Sequence, residues 1–380
     1  MNKKQTILIV AGEASGDMHG SALLKQLRLQ NPDAHFLGIG GDTMIAEGFE
    51  AIYHINQMAF LGFFEVVKHL PFILSVRKHL LTLVEKYSIS TVVLIDYPGF
   101  NLSLARKLDS YNCKVVYYIS PQLWAWGQHR VQKVKKYVDT MLVIFPFEKE
   151  FYRSHGVQAE FVGHPLVERF HNYTYVSRAE FLSKIGLKND DKYILLLPGS
   201  RKHEIEEHLG VMIETAQSVS LKHGLKVVIA QAPTISDELL KSAQNLGFIF
   251  VNEHIYDAMK YAEVGLIKSG TSTVEVALSG LPMAVLYKTG AITYFIGKLL
   301  IQVTSIAMVN IIAEKQVVKE FIQHEANPEA LEQELTTILT DSNYRKNILD
   351  GYKVVKQKLG DLHPAETSAQ IITTIIKQNE

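Results

Sequence analysis

Residues 198–201 read Pro-Gly-Ser-Arg, and residues 268–275 read Lys-Ser-Gly-Thr-Ser-Thr-Val-Glu. Each segment follows a short apolar run, at 193–197 and 264–267. Each therefore has the form strand, small-residue turn, helix start. Such turns leave backbone N–H groups unpaired at the positive end of a helix, where a phosphate fits. Two of them in one half of a chain point to a diphosphate held from two sides, by Gly199 and Ser200 and by Ser269, Gly270 and Thr271. Arg201 stands at a helix start, where a cation is unfavourable unless an anion is present. Glu275 has two readings. Ser272-x-x-Glu275 has the form of a capping box, and the same carboxylate suits the hydroxyls of a ribose.

Polar turns recur in the first half. Gly12-Glu-Ala-Ser-Gly-Asp17 has its outer glycines spaced unlike the dinucleotide fingerprint, and no acidic residue ends a second strand where that fold needs one. A nicotinamide-dependent dehydrogenase is disfavoured on that ground. The turn either admits another molecule to the backbone, or is a tight turn in which Ser15 or Asp17 caps a helix. Asp96, in Ile95-Asp-Tyr-Pro-Gly-Phe-Asn101, ends another strand. It either takes a proton from a hydroxyl or caps the helix beginning near Asn101. Ser120-Pro-Gln-Leu-Trp-Ala-Trp126 holds both tryptophans and precedes Arg130, Lys133, Lys135 and Lys136. The rings are expected in the core. The cations are either a solvated helix face or partners of a phosphate. Residues 60–74 are very apolar, fitting a buried helix or an element that touches lipid.

The elements that position these groups alternate. Strands are expected at 6–11, 35–38, 91–96, 114–119 and 140–144, then at 193–197, 226–230, 248–251, 264–267 and 283–286. Between them apolar residues recur at helical spacing, as in Ile205, Leu209, Met212, Ile213 and Ala216. The alternation predicts an α/β fold with parallel sheets, in two domains facing a central cleft. The expected bounds are 1–165 and 166–345, with a helical tail at 346–380. The 39 basic and 39 acidic residues balance, which disfavours nucleic acid as a partner. Cys113 is the only cysteine, so no intrachain disulfide forms. No His or Cys pattern has metal-ligand spacing, and no metal or cofactor is expected. No stretch has the length of a membrane span; the longest candidate, 291–313, is broken by Lys298, Gln302 and Asn310.

Taken in order, these segments resemble the lipid-A-disaccharide synthases, glycosyltransferases of Gram-negative lipid A assembly. The resemblance rests on Gly12-Glu-Ala-Ser-Gly-Asp17, Gly38-Ile-Gly-Gly41, Gly62-Phe-Phe-Glu-Val66, Asp96-Tyr-Pro-Gly-Phe-Asn101, Ser120-Pro-Gln-Leu-Trp-Ala-Trp126, Gly163-His-Pro165, Pro198-Gly-Ser-Arg201 and Ser269-Gly-Thr-Ser-Thr-Val-Glu275. One departure is Val309, where many members carry proline before the asparagine that is Asn310 here.

The resemblance implies two Rossmann-like domains of the GT-B type. It implies UDP-2,3-diacylglucosamine as donor, 2,3-diacylglucosamine 1-phosphate as acceptor, a β-1,6 linkage formed with inversion, and UDP as the second product. It also implies peripheral work at the cytoplasmic face of the inner membrane, and homodimers that exchange C-terminal segments. In that frame Asp96 is the expected base, with Glu13 and Asp17 as rival carboxylates. Gly199, Ser200, Arg201, Ser269, Gly270 and Thr271 stabilise the departing diphosphate. Glu275 holds the ribose, the backbone at Met259 borders the uracil, and Asn310 contacts the donor or the loop around it. Ser15, Arg130 and Lys133 serve the acceptor. Two other readings stay open: a UDP-sugar 2-epimerase of the same architecture, and a non-enzymatic membrane-surface module.

Overall fold

The computed structural model describes residues 5–58, 69–290, 294 and 305–379. Residues 60–68 of the apolar stretch, with Phe63 and Phe64, and most of 291–304 lie outside the described residues. The chain divides into two compact units. One comprises Met1–Glu168 with Asp361–Glu380, the other Arg169–Gly360.

Among the described residues, the first unit is built on a sheet of seven strands: β1 (Thr6–Ala11), β2 (His35–Gly40), β3 (Glu50–His54), β4 (Thr91–Ile95), β5 (Lys114–Tyr118), β6 (Thr140–Val143) and β7 (Ala159–Phe161). Their order is β3-β2-β1-β4-β5-β6-β7, and every pair is parallel. The central strands read as continuous apolar runs because both faces are covered. On β1, Leu8 and Val10 enter one core layer, and Ile7, Ile9 and Ala11 enter the other.

The second layer is completed from the far end of the chain. Ala369, Ile372 and Ile376 of helix Pro364–Gln378 pack with Leu23, Leu24 and Leu27 of helix Ala14–Gln30. Each isoleucine buried there contributes roughly 1.5–3 kcal/mol. Asn31 Nδ2 adds a hydrogen bond to Thr373 Oγ1 at 2.8 Å.

Among the described residues, the second unit carries six parallel strands: β8 (Tyr193–Leu197), β9 (Lys226–Ala230), β10 (Ile249–Val251), β11 (Val264–Lys268), β12 (Met283–Tyr287) and β13 (Glu320–Ile322), in the order β10-β9-β8-β11-β12-β13. Ile205, Leu209, Met212, Ile213 and Ala216 are all buried along helix Lys202–His223. The start expected for the tail, 346, falls inside helix Ser342–Leu359. That helix is fastened to the second unit, with Arg345 Nη1 donating to Glu263 O at 2.8 Å and Tyr352 OH to Leu281 O at 3.1 Å. The last helix, Pro364–Gln378, belongs to the first unit.

In both sheets the strand order reverses direction beside the first strand, β1 in one and β8 in the other. That is the switch point where parallel α/β folds bind ligands, beyond the carboxyl ends of the strands.

Candidate active site

In the first unit, β1 ends at Ala11 and Gly12 turns the chain into helix Ala14–Gln30. A Cβ at Gly12 would lie 2.1 Å from the Tyr97 ring, so only glycine fits there. Glu13 is the N-cap residue, yet its side chain bonds none of the helix N–H groups. Glu13 and Ser15 are both exposed.

Neither Ser15 nor Asp17 caps this helix. Asp17 is buried and reaches the next turn instead. Oδ1 accepts from the N–H groups of Gly41 at 2.7 Å and Met44 at 3.2 Å. Oδ2 accepts from Thr43 N at 3.1 Å and Thr43 Oγ1 at 2.7 Å. Asp17 thus caps helix Asp42–Ala46. A carboxylate already holding four donors has its lone pairs taken up, which weighs against it as a base.

Asp96 is held differently. Asp96 and Tyr97 both adopt φ +46°, a left-handed conformation that costs a non-glycine residue roughly 1–3 kcal/mol. The backbone is fixed on both sides. Asp96 N donates to Tyr118 O at 3.0 Å, and Asp96 O accepts from Tyr117 OH at 2.5 Å and Asn101 Nδ2 at 2.8 Å. Tyr97, not Asp96, is the N-cap residue of helix Pro98–Leu108, so the helix-cap alternative does not hold. Burial, and next the charge of Glu13, push the Asp96 carboxyl up to about 6, against a lowering pull from the Tyr97 N–H. A carboxylate tuned toward neutral pH is suited to take a proton from a hydroxyl.

The tryptophan segment splits. Trp124 is buried, whereas Trp126 is 48% exposed, which corrects the expectation of two core rings. The organiser is Glu148, a residue the sequence did not single out. Its buried Oε1 accepts from Ser120 Oγ at 2.6 Å and Trp124 Nε1 at 3.0 Å, while Oε2 accepts from Phe145 N at 3.1 Å. Burial pushes this carboxyl up to about 7 despite those donors. The Arg130 guanidinium lies 5.7 Å from the Trp126 ring centroid. Lys133 is exposed on helix Val131–Tyr137.

In the second unit the two small-residue turns follow β8 and β11. At the first, Glu204 Oε2 accepts from Ser200 N at 2.9 Å and Arg201 N at 3.3 Å. The N–H of Ser200, expected to face a phosphate, is therefore satisfied by this chain's own carboxylate. A Cβ at Gly199 would lie 2.5 Å from that same oxygen. Arg201 remains 74% exposed, its Nη1 3.9 Å from Glu204 Oε1.

At the second turn, Thr271 and Ser272 open helix Ser272–Ser279, and among the described residues their N–H groups have no acceptor. Ser269 is buried, and its hydroxyl donates to Ile306 O at 2.8 Å. The expected capping box is absent. Ser272 Oγ donates to Lys268 O at 3.2 Å, and Glu275 Oε1 accepts from Tyr256 OH at 3.1 Å. Burial raises the Glu275 carboxyl, while Tyr256 and Arg169 pull it down.

Met259 is buried. Beside it, Asp257 is also buried and accepts from Tyr173 OH and from Val176 N at 3.0 Å.

Asn310 is a fastener. Its Nδ2 donates to Val318 O at 2.9 Å and Glu320 Oε1 at 2.7 Å, and its Oδ1 accepts from Val317 N and Val318 N. Glu320 in turn holds the N–H groups of Ile306 and Ala307. The Asn310 side chain thus fixes the segment that receives the Ser269 hydroxyl. Val309 sits in the first turn of helix Met308–Ala313, where proline is equally accommodated.

Two parallel α/β units with polar turns at their strand ends define the architecture shared by GT-B glycosyltransferases and sugar-nucleotide epimerases. A kitacinnamycin glycotransferase superposes with a TM-score of 0.66 at 11% identity, covering 98% of this chain and 99% of its own. The UDP-GlcNAc 2-epimerase of Neisseria meningitidis superposes with a TM-score of 0.64 at 12% identity, covering 98% and 100%. At such identities these likenesses show the fold. The family model described as lipid-A-disaccharide synthetase matches residues 7–374. Lipid-A-disaccharide synthases of Syntrophus aciditrophicus and Myxococcus xanthus are 39% and 35% identical. The first match covers all of both chains, the second 99% of each. The chain belongs to the lipid-A-disaccharide synthase family. It is a glycosyltransferase, working on a UDP-sugar and an acceptor.

Proposed function

We propose that the enzyme joins UDP-2,3-diacylglucosamine to 2,3-diacylglucosamine 1-phosphate, giving the β-1,6-linked tetraacyl disaccharide 1-phosphate and UDP. The observation that carries the mechanism is Asp96, which a strained and fully bonded backbone holds at the switch point of the first sheet. Asp96 accepts the proton of the acceptor 6-hydroxyl as that oxygen attacks the anomeric carbon of the donor. The bond from that carbon to the diphosphate oxygen breaks, its electron pair leaves with UDP, and the configuration inverts. Exposed Glu13 raises the basicity of Asp96 through its charge.

Leaving-group stabilisation is assigned to the N–H groups of Thr271 and Ser272 and to the Arg201 side chain, preorganised donors at developing negative charge. Gly199 and Gly270 shape the two turns, and Ser269 anchors the second. Glu275 receives the ribose hydroxyls, and the backbone at Met259 borders the uracil. Ser15, Arg130 and Lys133 serve the acceptor and its phosphate.

Acyl-bearing substrates require work at a membrane surface. No helix among the described residues is long and apolar enough to cross one. The start of helix Leu70–Tyr87 presents exposed Leu70 and Leu74 beside exposed Lys78, a pattern suited to peripheral contact at the inner membrane. A homodimer would form if helix Pro364–Gln378 exchanged its seat on helix Ala14–Gln30 with a second copy.

Product analysis tests the reaction. With both lipid substrates, mass spectrometry and the anomeric proton coupling should show a β-linked disaccharide phosphate. Conversion of the UDP-sugar alone, with no disaccharide formed, would instead support an epimerase.

A further inference from the structure

Beneath the two turns of the second unit lies a pair of side chains that the reaction above does not use. Glu204 and Lys268 are 16% exposed or less at their side chains, and Lys268 Nζ donates to Glu204 Oε1 at 2.8 Å. Glu204 belongs to the first turn, where its other oxygen holds Ser200 N and Arg201 N. Lys268 ends β11 directly before the second turn, its ammonium 5.9 Å from the Tyr287 ring centroid.

One helical turn on, buried His208 locks the same helix. Nδ1 donates to Glu204 O at 2.6 Å, and Nε2 accepts from Lys288 N at 2.9 Å. Those two partners require the neutral imidazole, and burial, the largest influence, lowers its pKa accordingly. For Glu204, burial pushes upward, but Lys268 and the Ser200 N–H prevail and hold the carboxyl below its ordinary range. The Glu204 carboxyl is therefore a carboxylate.

We infer that Glu204 and Lys268 are a positioning pair for the donor: the carboxylate fills the anion position of turn 198–201, and its bond to Lys268 ties that turn to turn 269–272, which alone receives the diphosphate by its backbone. The inference rests on the UDP-sugar reading above. Lys268 has a second effect. It neutralises a carboxylate that would otherwise repel the diphosphate.

The test is calorimetric UDP binding and donor and acceptor kinetics on the full chain, with thermal midpoints recorded. Lys268→Met strands a buried negative charge at the first turn. UDP affinity and donor KM should worsen by roughly tenfold or more, the scale of a lost charge-assisted hydrogen bond, while acceptor KM holds. Lys268→Arg should restore both. The double variant Glu204→Gln with Lys268→Met removes both charges, yet leaves an amide oxygen for the N–H groups of Ser200 and Arg201. It should regain part of the affinity, because the repelling charge is gone while the tie between the turns stays broken.

A double variant as weak as Lys268→Met overturns the inference, because Lys268 would then touch the diphosphate itself. A lowered thermal midpoint with unchanged UDP affinity overturns it too, leaving the pair a purely structural contact. Should Lys268→Met not fold, the neutral double variant carries the decision against wild type: it should bind UDP more weakly, by less than about tenfold, and affinity equal to wild type overturns the inference. Wild type that binds no UDP would instead sink the underlying UDP-sugar reading, and the pair's role with it.

Discussion

At the carboxyl edge of the first sheet, Asp17 holds four hydrogen-bond donors of the neighbouring turn, while Asp96 is kept apart from helix capping and raised toward neutral pH. The same division recurs at the carboxyl edge of the second sheet. Turn 198–201 is filled by Glu204, whereas the N–H groups of Thr271 and Ser272 are open among the described residues. In each unit one polar group is committed to the fold and a similar one is left for chemistry. Residue type and strand-end position do not separate the two. What separates them is whether another part of the chain has already satisfied the group.

The sharpest break of that comparison is Asp17→Ala. Several buried donors lose their acceptor, so stability measured by urea denaturation should fall by about 3 kcal/mol or more. A loss near zero would show that Asp17 is not structural and would return it to the candidates for base. Next comes Asp96→Asn. Turnover should drop roughly a hundredfold or more, about 2.7 kcal/mol of barrier, with UDP affinity retained. Near-normal turnover would move the proton transfer to Glu13.

A smaller change probes the open turn. Thr271 has φ −61°, which proline adopts without strain, so Thr271→Pro deletes one N–H with little else. UDP should bind about tenfold more weakly, or about 1.4 kcal/mol. Unchanged calorimetric affinity would show that this N–H faces no phosphate.

The gentlest effect is a slope. Glu148 is raised from 4.5 to about 7, so the folded protein keeps a proton that the unfolded chain releases. Its contribution is whole below about 4.5 and is lost as pH rises through about 7. Thermal midpoints of wild type should therefore decline across that window more steeply than those of Glu148→Gln. Parallel curves would show that Glu148 titrates as an ordinary carboxyl.

Both sheets and their switch points were legible because buried parallel strands read as unbroken apolar runs. The edge strands Glu50–His54, Ala159–Phe161 and Glu320–Ile322 were not, since they are short and only partly buried, and so lack such a run. Asp96 was visible as a carboxylate ending a strand. The partners that assign roles were invisible for a different reason. Asp17 meets residues 41–44, and Glu204 meets Lys268, across separations that no local pattern reports. Glu204 did leave one trace, an acid at the third helical position, where capping carboxylates occur. Glu148 left the same trace after Phe145.

The central claim is transfer to an acceptor hydroxyl with Asp96 as base. The most direct measurement is the rate of UDP release from UDP-2,3-diacylglucosamine as a function of pH, with and without 2,3-diacylglucosamine 1-phosphate. The account predicts no release without acceptor. With acceptor, the rate should climb as Asp96 ionises through about 6 and then level off, and the climb should vanish in Asp96→Asn. UDP release that ignores the acceptor, or a wild-type rate flat across that range, would contradict it.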